Sequence, residues 1–140
     1  MECKVKWVGE AMAFLAETGS NHTLVMDAPP EAGGHNMAPR PMELLLAGAG
    51  GCTAFDVVSI LRKGRHAISA CEVSLSAERA ESDPKVFTRI HFHFRISGKA
   101  LKPEAVARAI ALSQEKYCSA SIMLAQSAEI SHDFEIIETA

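Results

Sequence analysis

The sequence has no excess of basic residues: 14 lysines and arginines stand against 17 aspartates and glutamates, for a net charge of -3. That leaves no positive field to hold a phosphate backbone and argues against nucleic acid as a partner. The amino terminus, Met1-Glu2-Cys3-Lys4-Val5-Lys6, is charged at once. It lacks the apolar run and small-residue cleavage site of a secretory leader, so a cytoplasmic location is expected. No HExxH, CxxC, GxSxG, P-loop or dinucleotide fingerprint occurs, and none of the metal, hydrolase or nucleotide chemistries those motifs carry is expected. Gly48-Ala49-Gly50-Gly51 has no strand before it and no Lys-Ser/Thr after it, so it is not read as a phosphate loop. Repeats, linkers and low-complexity segments are also missing. Four cysteines in a reducing compartment do not make a disulfide framework. Each of Cys3, Cys52, Cys71 and Cys118 is a small buried hydrophobe or a reactive thiol.

What is present suits one domain spanning residues 1–140. The composition is 48% hydrophobic and 22% charged, and a chain of this length buries about two-thirds of its unfolded surface without a metal or disulfide staple. Cys3, Val5 and Trp7 alternate with lysines, and further apolar stretches run from Met12 to Ala16 and from His22 to Met26. These predict a meander of three short strands. Prolines and the Gly33-Gly34 pair make Asp27 to Pro39 a loop.

From Pro41 to Lys63 the sequence is apolar almost all round, with Pro41 and Glu43 at the start and Arg62, Lys63 and Gly64 at the end. That pattern predicts one long, buried central helix. Its length approaches a membrane span, but the glycines, alanines and Asp56 weaken it, and no membrane partner is expected. Each helical glycine costs about 1 kcal/mol relative to alanine, so another helix or a sheet is expected close against this backbone.

Cys71 to Ala77 and Ile90 to Ile96 then alternate as two antiparallel strands joined at Ser82-Asp83-Pro84. A second helix opens at Lys102-Pro103 and runs to Tyr117, Cys118 to Leu124 extends it or starts another, and Ile130 to Ile136 is a last strand. The order βββ-α-ββ-αα-β is α+β.

Among chemistry-bearing residues, His91 and His93 share a strand face with Arg89 and Arg95. Two permanent positive charges oppose a divalent cation there, so a solvated or dimer-facing surface is expected and no metal. Cys3 and Cys71 occupy apolar-face positions and are expected to be buried and inert. Cys52, Asp56, Ser59 and Lys63 fall on one stripe of the long helix. By spacing alone, Cys52 is as consistent with packing as with chemistry. Cys118 follows Tyr117 where a new helix would place unpaired N–H groups beside its thiol.

Two stretches, Pro41-Met42-Glu43-Leu44-Leu45-Leu46-Ala47-Gly48-Ala49-Gly50-Gly51-Cys52 and Lys116-Tyr117-Cys118-Ser119, resemble the OsmC/Ohr family of osmotically inducible and organic-hydroperoxide-resistance proteins. The likeness covers the whole chain and is nearest to the family's YhfA branch. It implies an OsmC-like fold in an intertwined homodimer, two central helices wrapped by sheets from both chains. It also implies a thiol peroxidase in which Cys52 attacks an organic hydroperoxide and Cys118 resolves the sulfenic acid to a disulfide that external thiols, in some members lipoyl dithiols, reduce. No cofactor is implied. The peroxidase branches support the nucleophile with a glutamate directly after the proline and an N-terminal arginine. Here Met42 follows Pro41, Glu43 comes one place later, and no arginine precedes Arg40. Arg40 and Glu43 would serve from shifted positions, one residue turning a helical side chain by about 100°, with Asp56 as a third supporting group. Met37, Met42 and Phe55 would favour alkyl hydroperoxides. The alternative is a non-enzymatic dimer that binds a small apolar ligand or senses redox state through its thiols.

Overall fold

The computed structural model describes all 140 residues. The chain divides into two compact units, Met1–Leu46 and Ala47–Ala140, the division falling within a helix in sequence. In the first unit β1 (Cys3–Trp7), β2 (Phe14–Thr18) and β3 (Thr23–Met26) form the expected antiparallel meander, with β2 central. β1 is exposed along its whole length, Cys3 included. The expectation of a buried Cys3 therefore fails: alternation marks which residues share a face, but not whether that face is covered. The loop after β3 includes a 3-10 turn at Pro30–Ala32 and is held by Asp27. The Asp27 carboxylate accepts from the backbone N–H groups of Ala28 at 2.7 Å, His35 at 3.2 Å and Met37 at 3.1 Å. Those bonds, Met37's foremost, hold it below the usual carboxylate range.

Helix α1 is Pro41–Lys63. Arg40 stands at its N-cap, and Glu43 reaches back to accept from the Arg40 N–H at 2.9 Å and its guanidinium at 3.5 Å, half of a capping box. By length and composition α1 could cross a membrane, with 28% of its most apolar 18 residues buried. The helix expected to be buried is covered along only part of its surface by its own chain. The buried residues Ala49, Gly50, Thr53, Val57 and Leu61 make a single stripe, while Phe55 is 73% exposed. The glycines divide the same way. A Cβ on Gly50 would come within 2.8 Å of Leu75 Cδ1, whereas Gly48 and Gly51 face open space.

The second unit contains β4 (Ala67–Arg79), β5 (Phe87–Lys99), α2 (Pro103–Leu112), a π turn (Ser113–Tyr117), α3 (Ser119–Leu124) and β6 (Glu129–Glu138). β5 is the central strand, antiparallel to β4 and parallel to β6. Its inner face, Ile90, Phe92, Phe94 and Ile96, is at most 1% exposed. Each such side chain contributes about 2 kcal/mol of apolar burial. The outer face is polar, as expected, with one addition. β6 sets a row of acids beside the basic row of β5, so that Arg89 pairs with Glu129 at 3.4 Å and Arg95 with Glu135 at 2.7 Å. His91 and His93 share Asp133, at 3.0 and 2.7 Å.

The hydrogen bond from Asp133 raises His93 above the usual histidine value, with Glu135 adding to the effect, and it lowers Asp133. A histidine with a raised folded-state pKa adds stability that is complete below its unfolded value of about 6.5 and fades as pH rises through the folded value. Asp133 has the opposite sense: its contribution is lost as pH falls through its lowered value. The difference in thermal midpoint between wild type and Asp133→Asn should therefore be larger just below pH ~6.5 than in alkaline buffer. A difference that stays constant with pH would show that the pair does not titrate as described.

Candidate functional site: a dithiol beside a carboxylate

Three elements of the second unit converge on one cluster. α1 carries Cys52 and Asp56 four residues, about one turn, apart. The chain breaks at Cys118, where φ -76° and ψ 96° end the π turn and make this residue the N-cap of α3. Cys52 Sγ, Cys118 Sγ and a carboxylate oxygen of Asp56 lie within 4.8 Å of one another. Cys118 is fully buried and Cys52 half-buried, so Cys52 is the more accessible of the two.

A polar network holds this arrangement inside apolar packing. Thr53 Oγ1 and Ser113 Oγ, both 0% exposed, are hydrogen-bonded at 2.7 Å, and Ser113 donates to Asp56 Oδ2 at 2.9 Å. Gln114 Nε2 donates to Thr53 Oγ1 at 3.0 Å and approaches Ser121 Oγ at 3.5 Å. Ser121 in turn contacts Cys118 Sγ twice, through its hydroxyl at 3.0 Å and its N–H at 3.4 Å. Sequence reasoning did not single out Thr53, Ser113, Gln114 or Ser121. A signal existed for Ser113: it continues the Val106, Ala109, Ile110 face of α2, where a polar side chain must find a partner.

Electrostatics disfavour a free thiolate at Cys118. Burial pushes its thiol up and the adjacent Cys52 adds to that, while the Ser121 hydroxyl and N–H pull the other way. The helix-start N–H expected to favour the thiolate is thus present but outweighed. Within this unit no lysine, arginine or histidine pairs with Asp56.

Of the expected site residues, Cys52, Cys118 and Asp56 come together. Arg40 and Glu43, in the first unit, direct their hydrogen bonds to each other, and the Arg40 N–H is the main reason the Glu43 carboxyl is held below its ordinary value. Met37 is 82% exposed. Cys71 is half-buried, and burial pushes its thiol up.

The model of the family described as OsmC-like protein matches residues 34–133. The chain belongs to the OsmC-like family. Protein YhfA of Escherichia coli (strain K12) is 48% identical to this OsmC-like chain over 137 residues, 98% of each. A solved structure of a protein from Aquifex aeolicus VF5 superposes with a TM-score of 0.86 at 28% identity, covering 99% of this chain and 97% of that one. An organic hydroperoxide resistance protein OsmC from Legionella pneumophila superposes with a TM-score of 0.70 at 16% identity, over 96% and 95% of the two chains. At that identity the likeness establishes the shared α+β fold.

If Cys52 raises the Cys118 pKa as described, alkylation of Cys118 followed by mass spectrometry across pH will show a half-point above the ordinary ~8.5. That half-point should fall in Cys52→Ala. An unchanged half-point in the variant would mean that the two thiols are not in electrostatic contact.

Proposed function

We propose that the protein is a thiol-dependent peroxidase that reduces organic hydroperoxides, with Cys52 as the attacking thiol and Cys118 as the resolving one. The observation that carries this reading is the approach to within 4.8 Å of the sulfurs of a half-buried and a buried cysteine, beside a carboxylate. Family membership supports it, as does the fold shared with a protein named for organic hydroperoxide resistance. Cys52 attacks the outer peroxide oxygen, the O–O bond breaks, and an alcohol leaves as Cys52 becomes a sulfenic acid. The Cys118 sulfur then displaces hydroxide from the Cys52 sulfur, forming the disulfide and, with one proton, water. Asp56 is the carboxylate within 4.8 Å of both sulfurs, and the proton each thiol loses before its sulfur reacts ends on the leaving group, the alkoxide in the first step and the hydroxide in the second. A cytoplasmic dithiol returns the pair to the reduced state.

The same reading makes the protein a homodimer. On α1, Gly48 and Gly51 face open space and Phe55 is 73% exposed. An apolar helix face with room for close backbone approach fits a second copy of itself. Light scattering should give a particle of twice the 15.0 kDa chain mass; a stable monomer at micromolar concentration would remove the dimer from the reading.

A groove lined by Gly51, Ala54, Phe55, Val58 and Cys71, with Arg62 and Lys63 along it, favours the second reading, a non-enzymatic dimer in which the two copies close over this groove and hold a small apolar ligand between them. Turnover separates the two. Cumene hydroperoxide and hydrogen peroxide would each be mixed with protein and a dithiol, and peroxide loss followed. Faster consumption of the alkyl substrate is expected, with activity abolished in Cys52→Ser and turnover stalled after one event in Cys118→Ser. Wild-type consumption no faster than that of Cys52→Ser would exclude the peroxidase.

A further inference from the structure

We infer that the reduced Cys52/Cys118 pair and Asp56 form a three-donor site for a thiophilic divalent cation of the zinc class. The donors come from two elements that the fold clamps together: Cys52 and Asp56 on adjacent turns of α1, and Cys118 at the start of α3. All three ligand atoms lie within 4.8 Å of one another. Tetrahedral zinc, with bonds of about 2.3 Å to sulfur and 2.0 to 2.2 Å to oxygen, needs donors roughly 3.5 to 3.8 Å apart. Small side-chain rotations close that difference.

Two further observations separate this cluster from a chance meeting of sulfurs. The carboxylate is oriented from behind: Ser113 Oγ donates to Asp56 Oδ2 at 2.9 Å, and Ser113 is itself held by Thr53 at 2.7 Å. Supporting hydrogen bonds of this kind aim the first ligands of a metal site. Next to that network, Gln114 Oε1 is buried without a hydrogen-bond partner, although its Nε2 reaches Thr53 and Ser121. A buried acceptor lacking a donor is the sort of group that a bound water satisfies. Cys52 is only half-buried, and three protein donors leave a fourth tetrahedral position for water, as in zinc sites with three protein ligands.

Charge points the same way. No lysine, arginine or histidine of this unit pairs with Asp56, and the two sulfurs beside it add further negative charge once a cation takes the place of their protons. A divalent cation balances them and displaces the thiol protons on binding. The cation and a Cys52–Cys118 disulfide exclude each other, because the S–S bond removes both sulfur donors. This site rests on the reduced geometry and not on the peroxidase reading. It is tested without peroxide, so either can fail alone.

The test uses fully reduced, desalted protein carrying Cys3→Ser, which removes the exposed thiol. Zinc is titrated in competition with a chromophoric chelator, and cobalt(II) serves as a spectroscopic probe. One zinc per chain is expected, together with thiolate-to-cobalt charge-transfer absorption. Removing a ligand by Cys52→Ser, Cys118→Ser or Asp56→Asn should weaken zinc by more than about tenfold, and Ser113→Ala by about 10- to 100-fold. Cys71→Ser should leave binding unchanged. Circular dichroism confirms that each variant is folded. Binding below one zinc per chain, absence of the charge-transfer band, or equal affinity in wild type and Asp56→Asn would overturn the assignment.

Discussion

The 2.7 Å hydrogen bond between Thr53 and Ser113 joins two side chains that are 60 residues apart and fully buried. An unpaired hydroxyl in that position would cost about 1–3 kcal/mol, so the two are obliged to meet. Their meeting sets the register of the π turn against α1. The same Ser113 hydroxyl bonds Asp56, and the turn ends at Cys118, whose sulfur then has nowhere to lie except beside Ala49 and Cys52. The two thiols thus lie close together within a framework of satisfied buried hydroxyls. π turns of this kind often occur at functional sites, where one extra residue re-aims a side chain.

β5 is the second constraint. With Phe92, Phe94 and Ile96 wholly buried on one face, it can be only a central strand. Its polar face carries the basic and histidine residues that β6 complements with Glu129, Asp133 and Glu135. Exposed pairs contribute little individually. Here they also match a parallel neighbour to its register, since a one-residue slip would turn the acids of β6 toward the apolar layer.

Much of this was readable from residue patterns. Pro41, Glu43 and the Arg62-Lys63 end bounded α1, and alternation located every strand. Cys52 and Cys118 stood out through motifs that the OsmC-like family shares. Other features left no local trace. Cys3 alternates just as Cys71 does, yet one is exposed and the other half-buried, because burial depends on what another part of the chain places over a face. The nearly all-apolar α1 suggested burial, while one chain covers only the Ala49, Thr53, Val57 and Leu61 stripe. Thr53, Gln114 and Ser121 are ordinary helical residues until the elements pack, and only then do their hydroxyls and carboxamide face each other.

By itself the sequence determined the kinds and order of the elements, because periodicity, capping residues and turn residues act over a few neighbours. It left Cys52 evenly poised between packing and chemistry, and only the likeness of its surrounding run to the OsmC-like family singled it out. Tertiary structure alone decided that Cys118 is buried and that its sulfur comes to within 4.8 Å of Cys52 and Asp56. The physical reason is distance along the chain. Cys52 and Cys118 are separated by a hairpin and a helix, and no local rule fixes the meeting of groups so far apart. Their separation is set where buried polar atoms must find partners and apolar faces must close, and those demands are met only by the folded chain.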